Sequence, residues 1–356
     1  MKKWIFLGLT LVMTTGMMGQ STMLSVAETQ TTLVTKRTAT WCTICGGFAW
    51  DMMKRLQTDF DSSQAVVLNA HHSSGSRLYS TVAETWIDAF ESSFSQPRFY
   101  AGTEVLGSGS SDTENAIRER IGTDNSSRPV AQSAMAVSFE PETRSLRVQA
   151  RMTFFQDGEA GNYRLGLYLV ERRVMEEQAN RGSNAEHRNV LREAITDNPF
   201  GAVLHQGAYT TGQSYDVEEF FVLSEDYDID NLMFLSVIWE GGDESPSYVN
   251  ATATTKYERM QTTSLRTQSL PGTFRLLANP VREELTLNLT LPGAEAALHW
   301  QLSGVQGQTW KQGQFSFLPA GTHTLTIPVP ELQPGLFFLQ LRNEKGEQST
   351  FPFVKR

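Results

Sequence analysis

The sequence has 356 residues, with 30 Lys and Arg against 39 Asp and Glu, and a formal net charge of −9. Such an acidic chain argues against a nucleic-acid-binding protein, which needs a basic surface. The length predicts two or three domains. Residues 271–356 carry 7 basic and 6 acidic residues, a net charge of +1, which leaves a net charge of −10 for the rest. This asymmetry predicts a domain boundary near residue 270.

The amino terminus is typical of a secretory signal peptide, assigned to residues 1–27. Lysines at the start precede an apolar run, residues 4–13, that is too short to span a membrane. Cleavage after Gly19 or after Ala27 fits the small-residue pattern of such sites. No later segment predicts a transmembrane helix. We therefore expect an exported protein, in a compartment where disulfides persist.

The only two cysteines of the sequence, Cys42 and Cys45, form a C-x-x-C motif. An apolar, strand-like run precedes the motif, and a helical pattern at residues 48–60 follows it. Strand, tight turn, C-x-x-C and helix are the context of a thioredoxin-like redox site. At a helix start, Cys42 would meet unpaired N–H groups that lower the pKa of its thiol. Cys42 is therefore predicted to be the accessible nucleophile, and Cys45 the buried resolving thiol.

Two other interpretations of the cysteine pair are considered. A zinc site needs two further ligands, and His71 and His72 are adjacent rather than spaced as zinc-binding histidines usually are. A purely structural disulfide would close a very small loop and would remove little chain entropy. The pattern favours redox chemistry, with no metal ion or cofactor expected.

Residues 28–128 alternate between strand and helix patterns. Residues 64–70 are a short apolar run, as expected for a central parallel strand. Residues 78–94 and 112–121 predict helices, and residues 98–102 predict another strand. This order is that of an α/β thioredoxin-like domain.

Pro97 is the candidate for the cis-proline that faces the C-x-x-C in a thioredoxin fold. It is the only proline between Cys45 and Pro129, and it stands directly before a strand-like run. In that arrangement Gln96 would pair with the backbone of a client protein. The alternative is an ordinary trans turn proline, as most X-Pro bonds are.

Residues 129–260 change to strands without intervening helices, which predicts an Ig-like antiparallel β-sandwich. The strand-like runs are residues 134–139, 146–154, 163–170, 220–223 and 232–239. A polar stretch, residues 172–208, interrupts them and contains His187 and Arg188. Either these two residues mark a binding loop, or the stretch is a solvated insert in which the histidine caps or pairs locally.

Residues 261–273 form a polar linker with few large apolar residues. After it, residues 274–356 contain short alternating strands separated by glycines, which predicts a second β-sandwich. Its strand-like runs are residues 284–289, 299–302, 323–327 and 336–341. The whole chain is therefore predicted as an α/β thioredoxin-like domain followed by two all-β Ig-like sandwich domains.

The last domain contains several motifs in a fixed order. Asn279-Pro280 stands near its start, Gly335-x-Phe337 near its end, and Lys355 in a basic terminus. Together these motifs resemble the carboxy-terminal sorting domain of type IX secretion substrates, with Phe337 in place of the usual Tyr. The resemblance implies passage across the outer membrane by the type IX secretion machinery, removal of the domain, and attachment of the rest to surface lipopolysaccharide. An ordinary ligand-binding β-sandwich is the alternative.

Residues 30–260 carry a second resemblance. The C-x-x-C with its preceding threonine, the strand-like run ending at His71, and His187 with the residues after it are similar to the twenty-eight-kilodalton outer-membrane-protein family. That family fuses a thioredoxin-like domain to an Ig-like sandwich. Lys36 and Arg37 stand where the family has acidic residues and thioredoxins have a buried Asp, so a buried carboxylate proton relay is not expected. Most of the family lacks a settled activity, and the resemblance implies a fold more than a reaction.

The leading functional hypothesis is an exported, surface-attached thiol–disulfide oxidoreductase. Cys42 would attack a client disulfide, Cys45 would resolve the mixed disulfide, and Trp41 would shield the exposed sulfur. The competing hypothesis is a cell-surface interaction protein, in which the Ig-like domain binds a partner and the disulfide belongs to a scaffold. The expected partners are client thiols and disulfides in the first case and an unidentified surface ligand in the second.

Overall fold

The computed structural model describes residues 24–91, 95–243, 246–260, 270–305 and 307–356. Most of the predicted signal peptide and most of the predicted 261–273 linker lie outside these ranges. Within them the protein is predominantly β, with twenty strands in four sheets and three α-helices. The helices are α1 (Phe48–Asp59), α2 (Thr81–Phe90) and α3 (Ser111–Asn125). None of the helices in these ranges is long and apolar enough to cross a membrane.

The largest sheet has nine strands. In spatial order they are β12 (Ser247–Thr254), β11 (Leu232–Glu240), β7 (Asn162–Gln178), β8 (Gly182–Ala194), β2 (Ala65–His71), β1 (Thr32–Thr38), β3 (Arg98–Ala101) and β4 (Glu104–Gly107), and β9 (Ala202–Gln206) pairs with β7. Strands β1 and β2 are parallel, whereas β3 runs antiparallel to β1. The strands predicted for the first domain are thus present, but they make up less than half of the sheet to which they belong.

The predicted fold class is wrong on this point. The prediction placed an α/β thioredoxin-like domain before two all-β sandwiches, but no separate α/β domain exists among the described residues. Strands β1 to β4 continue directly into β8, β7, β11 and β12, which come from the segment assigned to the next domain. The protein is mainly a set of β-sandwiches, and its helices cover parts of one large sheet. The physical reason is that strand β2 has a hydrogen-bonding edge that a later segment occupies.

The ladder between β2 and β8 is short, and side chains as well as backbone groups hold the two strands together. The two strands pair in parallel at Asn69 and Val190. The Asn69 side chain donates to the carbonyl of Arg188 at 2.6 Å, and the Asn189 side chain donates to the carbonyl of Val67 at 3.1 Å. Side-chain amides therefore extend a backbone ladder that would otherwise end after one residue pair.

Each face of the large sheet is covered by a different apolar core. On one face, α2 packs Trp86 against Tyr168 and Trp239, and all three side chains are fully buried. On the other face, α1 and α3 pack against Val34 and Val67. Trp86 also donates its indole N–H to the carbonyl of Pro199 at 3.0 Å. The apolar core, like the sheet, therefore contains residues from both sides of the domain boundary that was predicted at residue 128.

A second, four-stranded sheet packs against the β7 and β11 end of the large sheet. Its strands are β10 (Ser214–Val222), β6 (Ser145–Phe154), β5 (Ala131–Glu140) and β13 (Glu258–Arg259). The core between the two sheets contains Phe154, Tyr163 and Phe234. Every strand-like run predicted between residues 134 and 239 lies within a strand or overlaps one.

The polar stretch predicted at residues 172–208 is neither a loop nor an insert. Strand β7 runs on to Gln178, and β8 returns from Gly182, so most of the stretch is a long antiparallel ribbon. Beyond the core its exposed positions carry mostly charged side chains, with Met175 as an apolar exception, and Val174 is buried between them. This sparse alternation hides the strand from a search for apolar runs.

The last segment forms a separate β-sandwich with its own apolar core. One sheet contains β14 (Thr273–Leu276), β15 (Glu284–Leu291) and β18 (Gly321–Pro328), and the other contains β17 (Thr309–Leu318), β16 (Glu295–Gly304), β19 (Gly335–Asn343) and β20 (Gln348–Lys355). The four runs predicted there all lie within strands. Strands β19 and β20 of this sandwich lie next to β10. The terminal Arg356 also forms an ion pair with Asp197 and donates to the carbonyl of Ile195 at 2.7 Å.

Candidate functional site

Cys42 and Cys45 form a disulfide. Together with Ala39 they make a small buried cluster of their own. Cys42 is 5% exposed and Cys45 is fully buried. The predicted pairing is thus confirmed, and Cys42 is the more accessible of two largely covered residues.

The loop that carries the disulfide differs from the prediction in one respect. Helix α1 begins at Phe48, with Gly47 as its N-cap, so Cys42 lies in a series of turns before the helix and not at its start. A backbone N–H still reaches the sulfur, because the amide of Cys45 donates to Cys42 Sγ at 3.1 Å. The expected contact between a sulfur and an amide donor is therefore made within the loop itself.

Pro97 lies next to the disulfide. The Gln96–Pro97 peptide bond is cis, and the carbonyl oxygen of Gln96 lies 3.8 Å from Cys42 Sγ. The Pro97 ring is also close to the α1 side of the sheet, near Gly109. The structure thus brings Cys42, Cys45 and Pro97 together from two separate segments of the chain.

Exposed apolar side chains surround the covered sulfur atoms. Trp41 is 64% exposed, Ile44 60% and Phe48 43%. The indole N–H of Trp41 donates to Ser73 Oγ at 3.1 Å, which turns the ring toward the segment after β2. Trp41 therefore lies on the rim of the site, with most of its side chain open to solvent.

The tip of the β7–β8 hairpin, residues 178–181, holds the disulfide loop, and sequence reasoning missed this contact. The Gln178 side chain donates to the carbonyls of Cys42 at 2.9 Å and Ala39 at 3.3 Å. The amide of Ala179 donates to the carbonyl of Thr40 at 2.8 Å. A polar tip with no motif gave no sequence signal, and the misassigned ribbon hid its position.

Arg181 and Asn180 extend this clamp along the loop. Arg181 donates to the carbonyl of Gly46 at 2.6 Å and pairs with Asp51 on α1 at 2.7 Å. Asn180 donates to the carbonyl of Thr43 at 3.0 Å. At Gly46 an added Cβ would lie 1.9 Å from the Ala179 carbonyl oxygen, so this approach requires glycine. The backbone carbonyls from Ala39 to Gly47 are thus satisfied mainly by the hairpin tip.

A buried polar layer lies between α1 and the sheet, beside the disulfide loop. It contains Lys36 of β1, Asn69 and His71 of β2, and His187 of β8, each at most 6% exposed. The indole of Trp50 on α1 covers it, with its ring 4.9 Å from that of His187 and 5.7 Å from Lys36 Nζ. Val34 and Val67 precede these residues on the same face, so the sheet surface changes from apolar to polar toward the cysteines.

Burial determines the protonation of this layer. Desolvation lowers the pKa of Lys36 to about 7 and that of His187 to about 4, and it lowers the pKa of His71 well below its usual value. Both nitrogens of His71 and Nε2 of His187 lack a hydrogen-bond partner among the described residues. At neutral pH the two histidines are therefore uncharged, because burial and the nearby Lys36 outweigh the Glu176 carboxylate, which favours the His187 cation.

The histidines considered for a zinc site or a binding loop do not form either arrangement in the described residues. In the described ranges no three His, Cys, Asp or Glu side chains are grouped so that they could hold a metal ion. His72 contacts Arg37, not His71, because the two neighbouring histidines point to opposite sides of the sheet edge. His187 faces the buried layer, whereas Arg188 forms an ion pair with Glu186. Neither residue lies in a loop.

The residues assigned to sorting converge at one end of the last sandwich. The Asn279–Pro280 bond is cis, and Asn279 Oδ1 accepts a hydrogen bond from the amide of Val354 at 2.8 Å. Gly335 pairs with Lys355 across the β19–β20 ladder. The Asn-Pro motif and the last strand are thereby fastened together.

Phe337 and Lys355 are parts of this arrangement and are not free surface groups. Phe337 is 5% exposed and stacks on Phe353, with ring centroids 5.7 Å apart. Lys355 is 7% exposed and donates to the carbonyl of Arg356 at 2.9 Å. Much of the motif therefore acts in the packing of the sandwich.

Comparison with known proteins gives one informative match. No protein-family model and no curated protein matches the chain. HBP35 of Porphyromonas gingivalis superimposes with a TM-score of 0.54 at 14% identity, over 93% of this chain and 99% of that one. At this identity the likeness shows the fold alone.

Two further solved structures align over part of the chain. One is red sea bream transglutaminase, with a TM-score of 0.19 and 11% identity over 69% of this chain and 34% of that one. The other is the alpha-2-macroglobulin of E. coli, with a TM-score of 0.19 and 10% identity over 63% of this chain and 15% of that one. Their superpositions are too poor to support any argument.

Proposed function

We propose that this protein is an exported thiol–disulfide exchange protein whose Cys42–Cys45 pair reacts with the thiols or disulfides of client proteins. The observation that carries the proposal is the position of the disulfide, with the Gln96 carbonyl 3.8 Å from Cys42 Sγ and exposed apolar side chains around it. An extended client segment could pair with that carbonyl while its apolar side chains cover Trp41 and Ile44. The disulfide is therefore placed at a surface suited to a peptide.

The proposed reaction is two successive thiol–disulfide exchanges. In the reducing direction the Cys42 thiolate attacks a client disulfide, forms a mixed disulfide and releases one client thiolate. The Cys45 thiolate then attacks Cys42 Sγ, releases the second client thiol and regenerates the Cys42–Cys45 disulfide. Two electrons pass to the client, and a dithiol of another protein or two molecules of glutathione must supply them. In the oxidising direction the same steps run in reverse.

The test is disulfide exchange with a small substrate. Wild type and Cys42→Ser would be compared for reduction of insulin disulfides and for exchange with oxidised glutathione. We expect exchange by the wild type and none by Cys42→Ser, while Cys45→Ser accumulates the mixed disulfide. Equal, near-zero rates for the wild type and Cys42→Ser would contradict the proposal.

A second candidate function is that of a non-enzymatic cell-surface binding protein. The burial of both cysteines supports it, because a sulfur that is 5% or less exposed is poorly placed for attack. The hairpin clamp adds to this protection. In that case the partner would bind to the apolar rim of Trp41, Ile44 and Phe48. The double variant Cys42→Ser, Cys45→Ser, which lacks the disulfide, would bind it as tightly as the wild type. Binding that survives this double substitution, together with absent exchange, would favour the second function.

We also propose that residues 274–356 act as a sorting domain for type IX secretion, which delivers the protein to the outer-membrane surface and links it to lipopolysaccharide. The convergence of Asn279, Gly335, Phe337 and Lys355 on the last strand supports this proposal. Truncation after Leu270 should abolish surface display while the remaining protein stays folded. Surface labelling and cell fractionation would measure the outcome, and undiminished display of the truncated chain would exclude the sorting role.

A further inference from the structure

No carboxylate pairs with the buried amino group of Lys36. The residue is 2% exposed, and it forms no hydrogen bond or salt bridge among the described residues. Its contact is with the ring of Trp50, whose centre lies 5.7 Å from Nζ. Burial lowers the pKa of this amine to about 7, so the amine is largely neutral in mildly alkaline solution. A neutral lysine carries a lone pair and is a nucleophile, whereas the usual lysine cation is not.

Lys36 borders a small cavity between α1 and the sheet. Trp50, Lys54, Gln57 and Asn69 are among the other residues that line it. The cavity has a volume of about 10 Å³, which is room for one group of the size of a water molecule. Lys54 is exposed, so on its side the cavity reaches the protein surface. A very small molecule can therefore approach Lys36, whereas a bulky one cannot.

Two carboxamides at the cavity have N–H groups to spare. Asn69 stands directly opposite Lys36 in the β1–β2 register, on the same face of the sheet. Its side chain donates to the carbonyl of Arg188 at 2.6 Å. Gln57 on α1 donates to the carbonyl of Val67 at 3.3 Å. A carboxamide has two N–H groups, and in the described part of the chain each of these uses one. The cavity therefore combines a nucleophile with donors for an oxyanion.

The charged groups at the surface side of the cavity include an unpaired cation. Lys54 Nζ and Arg181 Cζ each lie 5.9 Å from the centre of the indole ring that covers the polar layer. Arg181 forms a salt bridge with Asp51 at 2.7 Å. Lys54 forms no salt bridge with any described residue, and Glu186 attracts it only at longer range. A negative charge formed in the cavity would therefore meet a cation that has no close partner.

The other titratable groups of the layer do not neutralise Lys36. His71 and His187 face it and are uncharged at neutral pH. Glu176 acts on His187, and Arg192 acts on His71. None of these side chains forms a salt bridge with the amine, so the site holds no anion of its own for a lysine cation.

We propose that Lys36 is a site of reversible carbamate formation, at which its amine reacts with carbon dioxide. The lone pair of the amine attacks the carbon atom, an N–C bond forms, and one carbon–oxygen π bond becomes an oxyanion. The nitrogen releases one proton to the buffer. The oxyanion accepts the spare N–H groups of Asn69 and Gln57 and faces Lys54. Larger electrophiles such as aldehydes are excluded by the size of the cavity. This inference does not depend on the proposed exchange function.

The test exposes the protein to carbon-13 bicarbonate, which equilibrates with carbon dioxide. Triethyloxonium ion converts the labile carbamate into a stable ethyl ester, and peptide mass spectrometry locates it. A short unstructured peptide with one lysine is present in the same sample as a reference. We expect the trapped fraction at Lys36 to exceed that of the peptide by about tenfold or more at about pH 8, because an ordinary lysine has a pKa near 10.4. Carbon-13 NMR of the untreated protein should show the corresponding carbamate signal.

Lys36→Met should lose this signal. The α-amino group also forms carbamates, but it is present in both proteins, so the difference between their spectra belongs to Lys36. The matched control is Lys54→Met, which removes the other lysine of the cavity and leaves the nucleophile in place. It should lower the trapped fraction at Lys36 by about two- to fivefold, the effect of one weak charge interaction, and should not abolish it.

Three results would overturn the proposal. One is a trapped fraction at Lys36 no greater than that of the reference peptide. Another is a carbamate signal that persists unchanged in Lys36→Met. The third is stabilisation of the wild type by bicarbonate in urea without a trapped ester, which would mean that the cavity binds an anion and forms no bond to it. The peptide map of the wild type decides the question even if Lys36→Met does not fold.

Discussion

The junction at residue 128 and the junction at residue 270 connect their neighbours in different ways. At the first, one sheet and one apolar core run through, and Trp86 before the junction packs on Trp239 after it. At the second, the sheets and cores on either side are separate, and a cavity of about 220 Å³ lies between them. The first junction joins two halves of a single folding unit, whereas the second joins two units that can fold alone.

Truncation gives the largest expected effect. A chain that ends at residue 128 would expose the β2 edge and the partners of Trp86, and it would lose the hairpin clamp on the disulfide loop. We expect it to show no cooperative unfolding in urea, as followed by tryptophan fluorescence. A chain that ends at residue 260 should unfold in one sharp transition. A cooperative transition in the shorter chain would show that the first junction also separates independent units.

Trp86→Ala tests the same junction by a single substitution. Its side chain is fully buried against Tyr168 and Trp239, so its removal should lower the free energy of unfolding by about 3–5 kcal/mol. Because the core is shared, residues 24–260 should still unfold as one unit. Amide hydrogen exchange would contradict this expectation if it became faster in the residues before 128 while β11 stayed protected. Trp310→Ala, in a half-exposed position of the last sandwich, is the control and should change little.

Lys36→Met tests the buried polar layer at the first junction. Burial lowers the folded-state pKa of Lys36 to about 7, against an unfolded value near 10.5. Between these pH values the unfolded chain binds a proton that the folded protein does not, so wild-type stability rises with pH across this window. Methionine removes that dependence. It should stabilise the protein by roughly 2–4 kcal/mol below pH 7 and by little near pH 10.5.

Urea unfolding of the wild type and Lys36→Met from pH 6 to 10 would measure this difference. His71 and His187 face Lys36, but burial lowers the pKa of each histidine. Both therefore titrate below the range from pH 7 to pH 10.5 in which Lys36 acts. A constant difference between the two proteins at every pH would mean that Lys36 stays charged in the folded state.

Arg356→Ala gives the smallest expected effect and tests the second junction. Arg356 is the residue through which the last sandwich reaches Asp197 and Ile195, but Asp197 is 62% exposed, so the ion pair contributes at most about 1 kcal/mol. The unfolding of residues 24–260 should be unchanged, while small-angle X-ray scattering should show a more extended average shape. Arg342→Ala, on an exposed position of β19, is the control. A marked loss of stability in the first unit would mean that the second junction is also part of a shared core.

The sequence was informative wherever a signal was local. Cysteine spacing predicted the disulfide, and apolar alternation predicted most strands. The fold class was wrong because the pairing of β2 with β8 depends on residues far apart, and parallel strands leave no turn between them to be recognised. The order of strand and helix up to residue 128 suggested a complete domain, although it is one part of a larger sheet.

The site was predictable to the same extent. Cys42, Cys45 and Pro97 were found from spacing and position, and the structure places them together. Gln178 and Arg181 could not be predicted, because their side chains donate to backbone carbonyls of the disulfide loop. Every residue has a backbone carbonyl, so such contacts leave no pattern in the sequence. Lys36 was noticed as an unusual neighbour of the motif, but its burial depends on Trp50 and His187, which lie on other elements.

The hairpin clamp also has a consequence for the timing of disulfide formation. A polypeptide emerges from the ribosome with its amino terminus first, so Cys42 and Cys45 meet the solvent well before residues 178–181 exist. If the pair is oxidised before residues 178–181 have folded, the disulfide forms in an unsupported loop, governed by local chain flexibility alone. Long-range contacts such as those of Gln178 and Arg181 form late. The same two sulfur atoms are thus chemically different in the nascent chain and in the finished protein, and the change occurs when the β7–β8 hairpin folds.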